Sequence, residues 1–231
     1  EHYFDKIDTE GKAYFLGLMY ADGCLSGNNS TIFLELQEDD KYILESFKKE
    51  MGSTSPIKLN EKNLINPKWK NLYRFTFNSK IMSEQLSKIG CTPRKSLTLE
   101  FPNKDIIPDQ LLHHFMRGYF DGDGYFHAYI ARRNSKNYVL NITSTENFCN
   151  AYGEIIKEKL MANYSIIIPH KEKKTVTRSM VFSGKKTIQI LDWLYKDATF
   201  FLNRKKDKYL KEKIFLEEKK FMEIEKQNQN G

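Results

Sequence analysis

The segment Phe15–Gly23, FLGLMYADG, occurs a second time in the chain as Met116–Gly124, MRGYFDGDG. Aligning Asp22 with Asp123 gives an offset of 101 residues, at which the flanking pattern of helices, strands and turns also repeats. A period of this length is too long for a solenoid repeat. It predicts two copies of one unit that pack on each other with pseudo-two-fold symmetry.

Hydrophobic periodicity and turn residues predict the same order of elements in both copies. Helices are predicted at 10–22, 39–51, 79–90, 109–123, 146–162, 184–195 and 203–227, and strands at 24–28, 31–38, 55–61, 71–78, 125–133, 137–144, 164–171 and 174–182. We therefore expect an α+β fold of two units with the element order αββαββα, packed through the two repeated helices. The N-terminal half is 1–100, the linker 101–108, and the C-terminal half 109–231 with an extra helix.

Composition excludes several classes of protein. The 231 residues are 40% hydrophobic and 13% aromatic, which is enough for a packed core and argues against disorder. No apolar run approaches the ~20 residues of a membrane helix, and the first residues do not resemble a signal peptide. The three cysteines are far apart and form no Cys-x-x-Cys pair, so we expect an intracellular, reducing compartment, either cytoplasm or organelle matrix.

Small residues recur four positions apart in both copies, at Gly17 and Ala21 and at Gly118 and Gly122. Residues at this spacing share one face of a helix, and small side chains there let two helix backbones approach closely. For one helix, ordinary packing explains the pattern. Two matched copies predict that these four residues form the interface between the repeated helices.

That interface places Asp22 and Asp123 side by side where the two helices end. The C-terminus of a helix carries partial negative charge, and two carboxylates repel each other, so the position is unfavourable for both. A divalent cation relieves both penalties, and oxygen ligands suit Mg²⁺ better than zinc. A metal held by paired acids on a protein of net charge +7 points to phosphodiester hydrolysis.

With these motifs the chain, from about residue 10 to about residue 210, resembles the LAGLIDADG homing endonucleases in their single-chain, two-motif form. The resemblance implies a monomeric, site-specific double-strand DNA endonuclease of intron or intein mobility, with a saddle of antiparallel strands gripping about two turns of asymmetric duplex. It implies Mg²⁺ as cofactor, with Mn²⁺ or Ca²⁺ substituting in binding. It assigns the metal to Asp22 and Asp123 and to the carbonyls of Ala21 and Gly122. Tyr20 departs from the acid often found at the sixth motif position, where the second copy has Asp121.

The resemblance also suggests further pocket residues. Lys95 and Lys205 occupy a repeated Arg-Lys element, where a lysine stabilises the reacting phosphate or orders the attacking water. The alternative is a lysine that binds phosphate or water at the surface. Gln37 and Thr143 end matching strands, where a polar residue orders pocket water, or simply forms surface hydrogen bonds.

Positive charge is concentrated on the predicted strands. The segments 54–78, 125–145 and 164–187 hold fourteen basic and two acidic residues, so the remainder of the chain is net negative. Charge runs are usually solvated surfaces, but strands can also lie in the major groove of DNA. The candidate DNA contacts are Asn28, Asn29, Lys58, Lys62, Lys68, Lys70, Arg74, Arg132, Arg133, Lys136, Lys171, Lys173, Lys174 and Arg178.

Two other functions stay open at this point. A non-catalytic nucleic-acid binder of the same fold, such as an RNA maturase or a transcription regulator, would have the basic strands without needing both acids. A structural basic domain would need neither. The presence of both Asp22 and Asp123 favours the endonuclease.

Overall fold

Two central helices, α1 (Glu10–Ala21) and α4 (Leu112–Asp123), pack along each other. The structure is a computed structural model and describes residues 2–26, 30–131, 135–168 and 177–229. A Cβ atom added to Gly17 would overlap the carbonyl of Phe115, and one added to Gly118 would overlap that of Tyr14. The predicted glycine contacts therefore bring the two backbones together in the described structure.

Each half builds one four-stranded antiparallel sheet around its central helix. The first half comprises β1 (Gly23–Leu25), β2 (Thr31–Gln37), α2 (Lys41–Glu50), β3 (Ile57–Asn60), β4 (Leu72–Asn78) and α3 (Lys80–Lys88). The second comprises β5 (Gly124–Ile130), β6 (Lys136–Thr145), α5 (Glu146–Leu160), β7 (Ser165–Ile167), β8 (Thr177–Ser183), α6 (Lys186–Leu194) and α7 (Asn203–Gln229). The strand orders β1-β2-β4-β3 and β5-β6-β8-β7 are equivalent, which confirms the predicted α+β fold.

The two faces of each sheet have different surroundings. Along β2, Ile32, Leu34 and Leu36 are buried in the core, whereas the residues between them are only half-buried. The same alternation holds for β6. We call the less buried side the open face; it carries Phe33, Glu35, Gln37, Val139, Asn141, Thr143 and their partners in the neighbouring strands.

The C-terminal helix α7 extends to Gln229, two residues beyond its predicted end. Its first turns are anchored to the second half by Leu202, just before the helix, and by Tyr209, both buried. Lys and Glu dominate the rest of its surface. Within the four described ranges, no helix combines the length and the apolar character needed to traverse a bilayer.

Candidate metal centre and nucleic-acid interface

Asp22 and Asp123 lie at the same end of the central helix pair. Asp22 caps α1, where its backbone N–H donates to the carbonyl of Leu18 at 2.9 Å, and Asp123 is the last residue of α4. Gly122, the residue before Asp123, lies against Asp22: a Cβ atom placed on Gly122 would fall 2.9 Å from Asp22 Oδ2. The structure thus brings the two predicted acids together across the helix interface.

The surroundings make both carboxyl groups harder to ionise. Burial, followed by the charge of Asp123, raises the pKa of Asp22 to about 6, although Lys205 and Lys95 act in the opposite direction. Burial by the surrounding protein also raises the pKa of Asp123, even though part of its side chain remains accessible to solvent. The pair is therefore electrostatically unfavourable without a cation.

The two predicted pocket lysines lie beside these acids in equivalent positions. The ammonium group of Lys95, only 8% exposed, donates to the carbonyl of Gly23. That of Lys205 donates to the carbonyls of Phe120 and Gly124, each at 2.6 Å. Gly23 and Gly124 match in the repeat, so the pseudo-symmetry extends to the lysines.

Burial lowers the pKa of Lys205 to about 8, while the nearby carboxylates of Asp121, Asp22 and Asp123 oppose the shift. The charges of the lysines therefore offset only part of the cost of burying the acids, and the acids offset only part of the cost of burying Lys205. A phosphate or a cation entering the site would change the ionisation of both kinds of group.

The donor atoms of the site fit a hard cation. Two carboxylates converge at the helix ends, and the carbonyl oxygen of Gly122 faces the site, 3.4 Å from Lys205 Nζ. In the described ranges no cluster of three or more His, Cys, Asp or Glu side chains is poised to hold a metal. Mg²⁺ commonly keeps several waters and takes only one or two carboxylates, so this sparse oxygen set suits it. The role of the Ala21 carbonyl stays a prediction.

Gln37 and Thr143 both lie on the open face, and their hydrogen bonds are made with neighbouring side chains. Gln37 Nε2 donates to Asp40 Oδ2 at 2.9 Å. Thr143 Oγ1 is 3.3 Å from Asn141 Oδ1 and 3.2 Å from Ser179 Oγ. Their proposed action on pocket water stays a prediction.

The candidate DNA contacts fall into different environments. Lys58 and Arg74 are paired across β3 and β4 on the open face. Lys62, Lys68 and Lys70 belong to the connection between those strands, where Lys70 Nζ lies 2.6 Å from Asp39. The candidates that fall outside the described residues are Asn28, Asn29, Arg132, Arg133, Lys171, Lys173 and Lys174.

The two remaining candidates turn away from the open face. Lys136 Nζ pairs with Glu212 of α7 at 2.5 Å and lies over the ring of Phe215. Arg178 lies on the same face of β8 as the buried Met180, and it pairs with Glu146 of α5 at 3.0 Å. Among the described candidates, these two side chains lie apart from Lys58 and Arg74 on the open face.

Arg74 has a partner that was not predicted. Its Nε and Nη2 atoms donate to the two oxygens of Glu35, each at 3.2 Å, and Asn60 donates to the same carboxylate at 2.8 Å. Burial alone would raise the pKa of Glu35, yet the hydrogen bonds from Arg74 and Asn60 lower it overall. The open face of the first sheet therefore presents a fixed charge pair.

Sequence reasoning missed a row of aromatic side chains on the open face of β5. The ring centroids of Tyr125 and His127 are 5.2 Å apart, and those of His127 and Tyr129 are 5.6 Å apart. Tyr125 is 56% exposed and directly follows Gly124, so the row begins beside the acid pair. The alternation of aromatic residues at every second position was the available signal.

Solved structures provide comparisons for this arrangement. The LAGLIDADG homing endonuclease I-SmaMI bound to cleaved DNA matches with a TM-score of 0.59 and 13% identity, covering 97% of this chain and 95% of that one. The LAGLIDADG meganuclease I-AabMI bound to uncleaved DNA gives 0.56 and 13%, covering 89% and 91%. The LAGLIDADG homing endonuclease I-GzeII in complex with its DNA target gives 0.54 and 13%, covering 90% and 91%. No protein-family model and no curated protein matches the sequence.

Proposed function

We propose that this chain, whose fold is that of the LAGLIDADG homing endonucleases, is a site-specific DNA endonuclease that hydrolyses both strands of a long asymmetric duplex. The observation that carries the proposal is the pair Asp22 and Asp123, held together at the helix ends with a lysine beside each. Packing alone does not require two carboxylates there, because their juxtaposition raises the free energy of the fold. The mobility of an intron or intein would be the biological setting, and the free cysteines suit a reducing compartment.

The proposed chemistry assigns distinct tasks to the residues of the site. Asp22, Asp123 and the Gly122 carbonyl would hold Mg²⁺, with Mn²⁺ or Ca²⁺ substituting in binding. A bound Mg²⁺ would supply activation of water and stabilisation of charge on the phosphate. The ammonium groups of Lys95 and Lys205 would stabilise the negative charge that develops on the phosphate oxygens.

Binding of DNA is assigned to the open faces of the two sheets. Their exposed groups differ between the halves: Lys58 and the Glu35–Arg74 pair lie on the first, and the row from Tyr125 to Tyr129 lies on the second. Because one chain supplies both faces, it would act as a monomer on a site whose two halves differ. Each half would cover roughly one helical turn, or about 10 base pairs.

Cleavage selection from a random duplex library with Mg²⁺ tests this function. We expect enrichment of one asymmetric sequence of roughly 20 base pairs, cut on both strands. The selection is repeated with Ca²⁺ and with a chelator to separate cutting from binding. Specific binding without cutting under any metal condition would instead support the non-catalytic binder, and neither binding nor cutting would refute both.

The salt dependence of binding tests which residues face DNA. The logarithm of the binding constant falls by about 0.9 per phosphate contact for each tenfold rise in salt. We expect Lys58→Ala to make this slope shallower by about 1, the contribution of one phosphate contact. Lys159→Ala is the matched control, because Lys159 lies on α5 and pairs with Asp109 at 2.7 Å. Equal slopes for Lys58→Ala and the unmodified protein would exclude the open face of the first sheet as a phosphate-binding surface.

A further inference from the structure

The sixth positions of the two motifs carry different residues with related contacts. Tyr20 on α1 and Asp121 on α4 match at the 101-residue offset, and both are essentially inaccessible to solvent. The hydroxyl of Tyr20 donates to the backbone carbonyl of Ile89. Asp121 Oδ2 accepts from the backbone N–H of Leu202 at 2.9 Å. Each residue thus binds the main chain of a segment that follows the last helix packed on its own sheet.

In the first half, that segment leads to Lys95. Ile89 ends α3, and two residues later the Cys91 N–H donates to Leu86 while its thiol contacts the carbonyl of Met19 at 3.4 Å. The chain is therefore attached to α1 at Cys91, four residues before Lys95. A larger residue at Gly90, where φ is +101°, would place its Cβ 2.7 Å from the Tyr20 hydroxyl.

In the second half, the segment leads to Lys205. The carbonyl of Leu202 accepts from the N–H of Lys205 at 3.0 Å, so the residue that Asp121 binds starts the turn that carries the lysine. Asp121 itself is fixed by the hydroxyls of Tyr14, at 2.9 Å, and Tyr195, at 3.1 Å. The carboxylate therefore has a rigid orientation toward Leu202.

We propose that Tyr20 and Asp121 are positioning residues that hold Lys95 and Lys205, respectively, in the two cleavage pockets. The inference rests on the proposed nuclease function and adds to it that a separate residue positions each of the two lysines. Each residue is matched to its own segment, because the Ile89 carbonyl needs a donor, which tyrosine supplies, and the Leu202 N–H needs an acceptor, which aspartate supplies. The difference between the two motif copies is thus a difference in hydrogen-bond direction.

The test removes each anchor and follows the two strands separately. Tyr20→Phe deletes only the hydroxyl, and Asp121→Asn replaces an oxygen acceptor in a site filled by three donors. We expect each variant to slow the cutting of one strand by roughly tenfold to a hundredfold, as small displacements of catalytic groups do. The two variants should affect opposite strands, seen as accumulation of nicked plasmid with opposite strand labels.

A second readout does not depend on cutting. Brief acylation of surface amines followed by mass spectrometry reports the accessibility of each lysine. We expect Tyr20→Phe to increase labelling of Lys95 and leave Lys205 unchanged, and Asp121→Asn to do the reverse. Tyr152→Phe is the matched control, since the Tyr152 hydroxyl also donates to a backbone carbonyl, that of Met116 at 3.0 Å, which belongs to neither lysine segment.

The outcomes separate the inference from the proposed function. Selective labelling together with opposite strand defects supports both. If the unmodified protein cuts no duplex, the proposed function fails, and the labelling pattern alone decides whether the two residues hold the lysines. If neither variant changes the labelling of its own lysine selectively, or if Tyr152→Phe gives the same change, the inference is overturned and the proposed function stands.

Discussion

Asp22→Asn and Asp123→Asn are each expected to slow DNA cleavage by roughly a thousandfold or more, while binding of the target duplex is retained. Asparagine preserves the size and much of the hydrogen bonding of aspartate but removes the charge that holds a divalent cation. DNA binding should persist because the proposed function assigns it to the open faces and not to the acid pair. The measurements are plasmid cleavage and a gel-shift titration on the same preparations.

The pattern of strand cutting distinguishes two arrangements of metal. If one ion is shared, either variant should impair both strands, whereas separate ions should leave each variant able to nick one strand. Asp105→Asn, an exposed aspartate in the linker, is the control for loss of one negative charge. Normal cutting of both strands by both variants would exclude the two acids as metal ligands, and loss of DNA binding would indicate a structural role.

The folding stability of Asp22→Asn tests, without any DNA, whether the ionised carboxylate of Asp22 is unfavourable in the folded protein. The pKa of Asp22 is raised by folding, so its contribution to stability is present below its unfolded pKa of 3.8 and is lost as pH rises through about 6. At pH 7 the ionised carboxylate therefore destabilises the fold, and Asp22→Asn should unfold at higher denaturant than the unmodified protein. The difference should vanish near pH 4. A variant that is less stable at both pH values would show that the carboxylate has a supporting structural role.

The second large effect is expected at Arg117, whose side chain is completely buried in the middle of α4. Its guanidinium donates to Glu10 of α1 at 2.7 Å and to the carbonyls of Leu194 and Phe200, each at 2.9 Å. Arg117→Ala would remove the donor from both carbonyls and from Glu10, which keeps its hydrogen bonds from Thr199 and the Phe200 N–H. Breaking a buried ion pair on one side typically costs roughly 3–5 kcal/mol. We expect a loss of that size in the free energy of unfolding, measured with urea.

A surface pair provides the comparison. Lys157 and Glu154 on α5 are 3.2 Å apart, and about half of each side chain is exposed, so Lys157→Ala should cost less than about 1 kcal/mol. The contrast between the two variants depends on burial and not on distance. Equal losses in Arg117→Ala and Lys157→Ala would mean that the Glu10–Arg117 ion pair contributes no more to stability than a surface pair.

The repeated motif was sufficient to predict the central helix pair, the two sheets and the meeting of Asp22 with Asp123, since all follow from local pattern and symmetry. The face of the sheet on which each single side chain lies could not be predicted from this motif. Arg74 and Glu35 are 39 positions apart, and their pairing depends on the register of β2 against β4, which neither strand determines alone. The face on which Arg178 lies could not be predicted for the same reason, since a shift of one residue in strand register moves a side chain to the other face of the sheet.

Other contacts depend on segments that meet only in the folded chain. The contact of DNA with Lys136 stays a prediction, but its ion pair with Glu212 of α7, 76 positions away, could not be predicted from either segment. The contacts of Tyr20 with Ile89 and of Asp121 with Leu202 likewise join distant segments. Composition and periodicity describe each segment, but they carry no information on which distant backbone groups a buried side chain will meet.

The glycine contacts between α1 and α4 have a consequence for protein engineering. Gly17 and Gly118 each face the backbone of the opposite helix, so any side chain introduced at one must be accommodated by the other half. The open faces carry no comparable mutual restriction. A chimera that joins one half to the corresponding half of another protein should therefore fold only if the incoming helix also has glycine at these points, whereas substitutions on the open face of either sheet need no matching change in the other half.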